Sequence, residues 1–400
     1  MELIVQYRAV SFRQSDEAPH VVLFAAPATD IAEWAGVPQR ELVDQQETIG
    51  FQREENPTRI SQLKRFLDDN QNVIQNPILC AARNTQKVTF EPDPGATGTV
   101  VSGTLTIEDP NLSSRTLTNL FADLEAQLRA RQPALSEARV DQQRLLTLQT
   151  RLQDAVGEEL DWGEQEEDEP AELEDDSVSG LFAKETHVLE FWQEIKARQL
   201  LLTQLADTSR FEEEGTFLGF DRETLESYLR PVFLVDGQHR LKGAVESAEA
   251  AAAQAMLSEG PERPTRSSEE ASEMVREHAR IMPVSLLLDQ NTAEHVFQFV
   301  VVNQKATPVG KALLGTIVAS SLTENELEKV ASRLEKVGIN VTDSQAVSWF
   351  TRNKNSPFYG LVQQGMTGEG GDKLPWSVLR DLVSVFRNCA VGDSSMSHHP

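Results

Sequence analysis

One short stretch, VFLVDGQHRLKGA at residues 232–244, constrains the fold more than any other part of the chain. Its first four residues are apolar and predict a buried strand. A helical pattern follows, and an alanine-rich segment at 246–257 continues it with strong intrinsic helix propensity. Between the two lie an acid, a glycine, an amide, an imidazole and a guanidinium at 236–240. The sequence therefore predicts a strand that passes into a helix through these five residues, which we call the polar turn.

The polar turn is suited to binding phosphate. A helix N-terminus offers backbone N–H groups and the positive end of the helix dipole, and Gly237 would let a ligand approach the backbone closely. Arg240 presents a planar fork of donors that suits phosphate oxygens. His239 can donate a hydrogen bond or move a proton, and Asp236 can orient a metal ion, a ribose or a water. The same residue types also fit a structural interpretation, in which Asp236 caps the helix and Arg240 pairs with a neighbouring acid.

Two further groups of polar residues are candidates for the same site. Gln52 and Arg53 precede a helical pattern, and Asn303 and Lys305 lie in a polar break of an apolar run. Each group also has an ordinary structural explanation, because a lone arginine often forms a surface ion pair and Asn and Lys often occur at helix ends. The residue pattern leaves both explanations open for each group.

The net charge of −26 argues against a broad nucleic-acid-binding surface, but the charge is unevenly distributed. Residues 158–176 contain twelve acidic residues and no basic one, and without those twelve charges the net charge of −26 would become −14. Like charges at this density repel one another and stay solvated, so the segment is predicted to be disordered. A local basic groove elsewhere is compatible with the composition.

The remaining composition fits a globular protein of the cytoplasm. The 400 residues are 39% hydrophobic, which is enough for two or three domains with real cores. The sequence contains no run of 18 apolar residues, so no membrane span is predicted. The N-terminal MELIVQYRAV is typical of a first strand rather than a signal peptide. Cys80 and Cys389 are the two cysteines, which supports neither a disulfide framework nor a cysteine zinc site.

Strand-like and helical segments are interspersed along the chain, which predicts an α/β (α+β) fold. A hairpin rich in Gly and Thr at 84–110 and two leucine-rich helical segments precede the acidic segment. The last 80 residues are mainly helical. Further elements are predicted as strands at 3–7, 21–25, 78–82 and 282–289 and as helices near 31–35 and 59–67.

Three motifs together resemble the DGQHR-domain proteins of bacteria and archaea. The polar turn, within VDGQHRL, resembles the signature of that family. GFQREENPTRISQLKRFL at 50–67 resembles its upstream segment, and MPVSLLL followed by FVVVNQKATPV resembles its downstream segment. The order and approximate spacing of the three agree with the family over roughly residues 1–90 and 185–320. Because the family is similar to the ParB and sulfiredoxin fold, the resemblance implies a mixed-sheet core of that kind.

The resemblance also divides the chain into three parts. Residues 1–90 and 185–310 would form a discontinuous core that is similar to ParB and sulfiredoxin. Residues 91–184 would be an insertion that contains the hairpin, the helices and the acidic segment at 158–176. Residues 311–400 would form a helical C-terminal region.

The nucleotide site implied by the resemblance centres on the polar turn, because the corresponding turn binds nucleotide phosphates in ParB and sulfiredoxin proteins. ATP or another nucleoside triphosphate is the implied cofactor, with Mg²⁺. Asp236 would hold Mg²⁺ or aim the attacking water, and Arg240 and Arg53 would neutralise charge on the transferring phosphoryl group. The implied catalytic residues are Asp236, His239 and Arg240, and the implied phosphate-binding residues are Gly237, Gln238, Gln52, Arg53, Asn303 and Lys305.

The family resemblance implies work on DNA, but it leaves more than one function open. One branch is linked to DNA phosphorothioation and acts as a DNA-binding repressor. Another accompanies the enzyme that places 7-deazaguanine bases in DNA and supplies ATP hydrolysis. The acidic charge and the lack of a recognisable helix-turn-helix favour the second, with DNA and a DNA-modifying enzyme as partners. A repressor, a non-catalytic protein-interaction scaffold and a homo-oligomer stay open as alternatives.

Overall fold

The computed structural model describes most of the chain, namely residues 3–37, 42–43, 46–47, 56–156, 186–258, 268–306, 322, 324–339, 347, 350–351, 356–359, 361–362 and 373–392. The acidic segment at 158–176, whose disorder the sequence predicts, lies outside these residues.

The described residues form short and long strands interspersed with helices. The strands are β1 (Leu3–Arg13), β2 (His20–Pro27), β3 (Ala35–Gly36), β4 (Leu42–Val43), β5 (Gln46–Glu47), β6 (Ile78–Ala82), β7 (Val88–Pro92), β8 (Val100–Asp109), β9 (Thr216–Phe217), β10 (Phe220–Asp221), β11 (Val232–Asp236) and β12 (Ile281–Leu288). The helices are α1 (Ala28–Trp34), α2 (Pro57–Asp68), α3 (Leu117–Arg131), α4 (Gln142–Val156), α5 (Thr186–Gln204), α6 (Ser209–Glu214), α7 (Arg222–Leu229), α8 (Gln238–Ser258), α9 (Ser268–Glu277), α10 (Thr292–Ala306), α11 (Glu324–Lys336) and α12 (Trp376–Gly392).

The chain divides into two compact units, and each combines separate stretches of sequence. The first unit contains Met1–Pro38, Gln52–Arg115 and Glu223–Asn291, and the second contains Gln39–Phe51, Thr116–Arg222 and Thr292–Pro400. The hairpin of β7 and β8 therefore belongs to the first unit, and the boundary predicted at residue 91 falls inside β7.

An eight-stranded sheet forms the centre of the first unit, in the order β3-β11-β6-β12-β2-β1-β8-β7. β11 pairs with β3, and β12 with β6, in parallel, whereas the other neighbouring strands are antiparallel. A mixed sheet with packed helices confirms the α/β (α+β) class that the sequence predicts.

Alternating side chains give this sheet one buried face. In β2, Val22 and Ala26 are completely buried, whereas Leu23 is 42% exposed. β12 shows the same alternation, with Met282 and Val284 buried and Ser285 on the other face. Apolar residues of α1, α2 and α8 belong to the same core cluster as these strand residues, so these three helices pack on the buried face.

A small polar network connects β1 to α1 inside this core. The Tyr7 hydroxyl donates to Asp30 Oδ2 at 3.2 Å and accepts from the indole Nε1–H of Trp34 at 3.1 Å. The Tyr7 ring also stacks on Phe24, with ring centroids 5.2 Å apart. Desolvation by burial, as the largest cause, raises the pKa of Tyr7, so its hydroxyl keeps its proton and donates at neutral pH.

Replacing Tyr7 by phenylalanine is expected to lower the free energy of unfolding by about 1–3 kcal/mol, because the buried Trp34 N–H would lose its acceptor. The aromatic stack with Phe24 is retained in this variant, so the hydroxyl alone is tested. Urea denaturation measures the effect as a lower midpoint with an unchanged slope. A midpoint equal to that of the wild type would contradict the structural role of the hydroxyl.

The second unit is mainly helical in the part that the structure describes. α5 packs against α3 and α4, and α10 packs against α11. The ring of Phe121 meets those of Phe217 and Phe220 edge to face, with centroids 6.4 and 5.9 Å apart. Arg198 of α5 is completely buried beside these aromatic residues, with its guanidinium 4.8 Å from the Phe220 ring centroid.

None of the helices within the described ranges is both long enough and apolar enough to cross a membrane.

Candidate functional site

The polar turn has the strand–turn–helix structure that the sequence predicts. β11 ends at Asp236, and the 21-residue helix α8 begins at Gln238, so Gly237 alone separates them. The pairing of β11 with β6 shifts register between Leu234 and Asp236, which places Asp236 opposite Leu79. Such an irregularity changes the direction in which a side chain at the end of a strand points.

Gly237 is required at this position for two reasons. Its φ of +109° is a backbone conformation that residues with a side chain rarely adopt. A Cβ atom there would also lie 2.8 Å from Ile78 Cδ1 and 3.1 Å from Arg240 Nη2. The atoms that approach the Gly237 backbone closely are therefore those of Ile78 in β6 and of the Arg240 guanidinium, which belong to the protein itself.

Arg240 makes internal contacts that connect the polar turn to the segment before β6. Its Nη2 donates to Asp236 Oδ2 at 2.7 Å, and its Nη1 donates to the backbone carbonyls of Asn76 at 2.7 Å and Pro77 at 3.1 Å. The Arg240 side chain is only 17% exposed, whereas that of Asp236 is 37% exposed. These contacts fit the structural interpretation of Arg240, the ion pair with a neighbouring acid, and they show that much of its donor capacity is used within the protein.

His239 contacts the beginning of α2. The backbone N–H of Asn56 donates to His239 Nε2 at 3.1 Å, and Asn56 Oδ1 accepts from the backbone N–H of Arg59, which caps α2. Since Nε2 is an acceptor in this contact, a neutral His239 ring carries its proton on Nδ1 and can donate only through that atom. His239 therefore links the first turn of α8 to the first turn of α2.

Close packing of α2 along α8 supports this arrangement. A Cβ on Gly243 would lie 2.9 Å from Leu63 Cβ and 3.1 Å from the backbone nitrogen of Lys64, so α8 can approach α2 this closely only with glycine there. Farther along, Ser247 Oγ donates to Asp68 Oδ1 at 2.8 Å. The hydrogen bond from Lys64 is the largest cause of a lowered pKa at Asp68, and the Ser247 hydroxyl adds to it.

The structure brings together only part of the predicted nucleotide site. Asp236 and Arg240 form an ion pair, a Cβ on Gly237 would lie 3.1 Å from Arg240 Nη2, and Gln238 is buried at the start of α8. Two sets of predicted residues cannot be placed beside them. Gln52 and Arg53 lie outside the described residues, and Asn303 and Lys305 lie on α10 of the second unit, with side chains outside the described ones.

The described residues contain no group of three or more His, Cys, Asp and Glu side chains that could hold a metal ion. Mg²⁺ in nucleotide sites is commonly held by one or two carboxylates together with phosphate oxygens and waters. Asp236 fits this donor chemistry as a single carboxylate, and one of its oxygens accepts from Arg240. A role of Asp236 in binding Mg²⁺ stays a prediction.

Three contact partners of the polar turn were missed in the sequence. The Asn76 and Pro77 carbonyls left no signal, because backbone atoms accept hydrogen bonds whatever their side chains. Asn56 did leave one, since Asn followed by Pro is a typical beginning of a helix and the structure shows Asn56 at the N-cap of α2. That signal locates the helix but not its contact with His239.

Comparison with known proteins gave no match to a protein-family model, a curated protein or a solved structure. Membership of the DGQHR-domain family therefore stays a prediction that rests on the three motifs.

Proposed function

We propose that this chain binds a nucleoside triphosphate at the polar turn and hydrolyses it in support of a DNA-modifying enzyme. The observation that carries the proposal is the direct passage of a buried strand into a long helix at Gly237, with Asp236 immediately before this glycine and His239 two residues after it. Backbone N–H groups in the first turn of a helix lack intrahelical acceptors, and the helix dipole favours an anion there. The DGQHR signature at the same residues supports a phosphate as that anion.

The contacts of the polar turn suggest a separate role for each of its polar residues in binding and hydrolysing the nucleotide. Arg240 positions the site, because it holds the Asp236 carboxylate and the segment before β6. Asp236 presents a partly exposed carboxylate that would accept a hydrogen bond from the attacking water or hold the metal ion. His239 would donate to phosphate oxygen through Nδ1. Bound Mg²⁺ would supply neutralisation of the phosphate charge.

DNA and a DNA-modifying enzyme are the proposed partners, and the cytoplasm is the proposed location. The partners follow from the family resemblance, in which the nucleotide-hydrolysing branch accompanies the enzyme that places 7-deazaguanine in DNA. A buried free thiol at Cys80 accords with a reducing compartment.

Phosphate release from ATP, CTP and GTP, with and without duplex DNA, tests the proposal. We expect turnover of at least one nucleotide, and a fall of about 10²-fold or more in Asp236→Asn, because a positioned acid–base group contributes that much. Asp93→Asn is the matched control. Asp93 also accepts from an arginine at 2.7 Å, Arg8, but it lies at the β7–β8 hairpin, so its substitution should leave turnover within about twofold.

The outcomes separate the alternative functions. Turnover that persists in a folded Asp236→Asn variant would contradict the proposed role of the polar turn. Salt-sensitive binding of duplex DNA without hydrolysis of any nucleotide would favour the repressor instead. If the chain neither hydrolyses a nucleotide nor binds duplex DNA, the non-catalytic interaction scaffold becomes the favoured function.

A further inference from the structure

A cavity of about 620 Å³ lies in the first unit at the opposite end of the strands from the polar turn. Asp236 lies opposite Leu79, the second residue of β6, so the polar turn is at the beginning of β6, and Leu79 lies beside Ser285 in the middle of β12. The cavity is lined by Leu288, the last residue of β12, and the residue before it, Leu287, lies beside Ala81 near the end of β6. It is therefore a separate place from the proposed nucleotide site.

The cavity is defined by the β1–β2 hairpin, the loop between β7 and β8, and the end of β12. We call it the hairpin cavity. Its lining residues are Ser11, Phe12, Arg13, Gln14, Ser15, Asp16, His20, Phe90, Pro92, Gly98, Thr99, Val101 and Leu288.

Strand register places polar side chains on the core-facing side of the sheet at this end. Ser11 is directly opposite Val22, which is completely buried, so Ser11 faces the same side as the core. Two residues farther along β1, Arg13 is opposite His20, and His20 is opposite Leu288 of β12. Side chains on a strand repeat their direction every two residues, so Arg13 and His20 lie on the same face of the sheet as the buried apolar residues. They place a guanidinium and an imidazole at the end of that face.

Arg13 has no carboxylate partner in the part of the chain that the structure describes. Its Nη1 donates to the backbone carbonyl of Asp16 at 3.1 Å, a contact that leaves the positive charge without an opposite charge. Arg8, which points to the other face of β1, forms a two-bonded pair with Asp93 at 2.8 and 2.7 Å. An arginine that lines a cavity without an acid partner is suited to binding an anion through two parallel hydrogen bonds.

Ser11 and His20 provide further hydrogen-bonding groups beside Arg13. Ser11 Oγ and His20 Nδ1 are 3.2 Å apart, and Ser11 is only 4% exposed. Desolvation and then the charge of Arg13 lower the pKa of His20, so the ring is neutral at pH 7. Asp16 is the carboxylate among the lining residues, and its backbone carbonyl holds Arg13 while its side chain is exposed at the rim.

The remaining walls are apolar. Phe90 of β7 and Leu288 of β12 are partly buried and pack against the core cluster, and Val101 of β8 continues this surface. A volume of about 620 Å³ falls within the usual range for sites of small organic ligands. An inorganic ion would leave these apolar walls without contacts.

We propose that the hairpin cavity binds a small organic anion with an apolar body. Arg13 binds its carboxylate or phosphate group, the Ser11 hydroxyl and the His20 ring add hydrogen bonds, and Phe90 and Leu288 pack against the apolar part. The site is independent of nucleotide hydrolysis at the polar turn, and failure of one proposal leaves the other intact.

Ligand-observed NMR titration of the full chain tests this site with three probes of similar size. The probes are 3-phenylpropionate, phenyl phosphate and the neutral 3-phenylpropanamide. We expect at least one anion to bind about 10-fold or more tightly than the amide, because hydrogen bonds to a charged group are stronger than neutral ones. Tighter binding of the phosphate identifies a phosphate monoester as the ligand class, and tighter binding of the propionate identifies a carboxylate.

Two arginine variants separate the cavity from general charge effects. Arg13→Met is expected to weaken anion binding about 10- to 100-fold, whereas Arg8→Met, which removes the same charge from the other face of β1, should leave it unchanged. Phe90→Ala should weaken binding of both the anions and the amide. The proposal is overturned if neither anion binds at millimolar concentrations, or if Arg13→Met binds as tightly as Arg8→Met.

Discussion

Replacing Arg198 by methionine is expected to lower the free energy of unfolding by about 3–5 kcal/mol, because the change removes one partner of a buried ion pair. The Arg198 side chain is completely buried on α5, and its Nη1 contacts the Glu194 carboxylate one turn earlier. Its Nε and Nη2 donate to the Leu218 carbonyl at 3.0 and 2.9 Å. Methionine fills a similar volume but donates no hydrogen bond to the Glu194 carboxylate or to the Leu218 carbonyl.

The Leu218 carbonyl makes this arginine harder to replace. Leu218 and Gly219 connect β9 to β10 with φ values of +45° and +88°, the left-handed pair of a tight hairpin turn. A positive φ is strained for leucine, and the two hydrogen bonds from Arg198 hold the turn in that conformation. Loss of the arginine should therefore loosen the β9–β10 hairpin. It should also leave the Glu194 carboxylate paired with Arg144, whose Nε lies 3.2 Å from Glu194 Oε1.

Arg210→Met is the matched control for this prediction. Arg210 pairs with Glu214 at the same i, i+4 spacing on α6, but the two side chains are 56% and 50% exposed. An exposed pair of this kind contributes about 0.3–0.5 kcal/mol, so the variant should unfold close to the wild-type urea midpoint. Equal midpoints for the Arg198 and Arg210 variants would show that burial of Arg198 adds nothing to its contribution.

Local sequence patterns predicted several elements of the first unit because the causes of those elements are local. Four apolar residues followed by a polar run and an alanine-rich segment predicted β11 and α8 correctly, and the strand-like run at 21–25 predicted β2. The α/β (α+β) class followed from these elements. Contacts between distant segments had no such pattern, so the pairing of β1 with β8 and the inclusion of the 88–109 hairpin in the sheet were missed.

The sequence predicted two alternative roles for the polar turn and could not decide between them, because the decision depends on contacts with distant segments. The residue types at 236–240 permit phosphate binding and an internal ion pair alike, and the choice for Arg240 depends on Asn76 and Pro77, more than 160 residues away in sequence. The hairpin cavity gave even less local signal. Arg13 and His20 lie at the ends of two strands, and only their register shows that both face the side of the core.

Replacing Gly237 by valine is expected to lower the free energy of unfolding by about 2–6 kcal/mol. Backbone strain at a φ of +109° should cost about 1–3 kcal/mol, since a β-branched residue rarely adopts such a conformation. Crowding against Ile78 should cost a further 1–3 kcal/mol or so, because a Cβ would lie 2.8 Å from Ile78 Cδ1. Urea denaturation measures the total.

Gly95→Val separates the two causes. Gly95 also has a positive φ, of +79°, but a Cβ there would have no atom within 4 Å, so this variant carries backbone strain without crowding. The difference between the two variants therefore measures the crowding at the polar turn. If Gly237→Val unfolds no more easily than Gly95→Val, then β6 and Arg240 yield to the added side chain, and the turn is less closely packed than its contacts indicate.

The same pair of variants connects the packing of the polar turn to its proposed chemistry. A side chain at Gly237 must displace Ile78 or the Arg240 guanidinium, and Arg240 in turn holds the Asp236 carboxylate. A site that depends on the first turn of α8 should therefore lose nucleotide turnover in Gly237→Ala, the smaller substitution, even at temperatures where the variant stays folded. Gly95→Ala should keep it. Turnover retained by a folded Gly237→Ala variant would place the hydrolytic site elsewhere in the chain, whatever the cost of the substitution in stability.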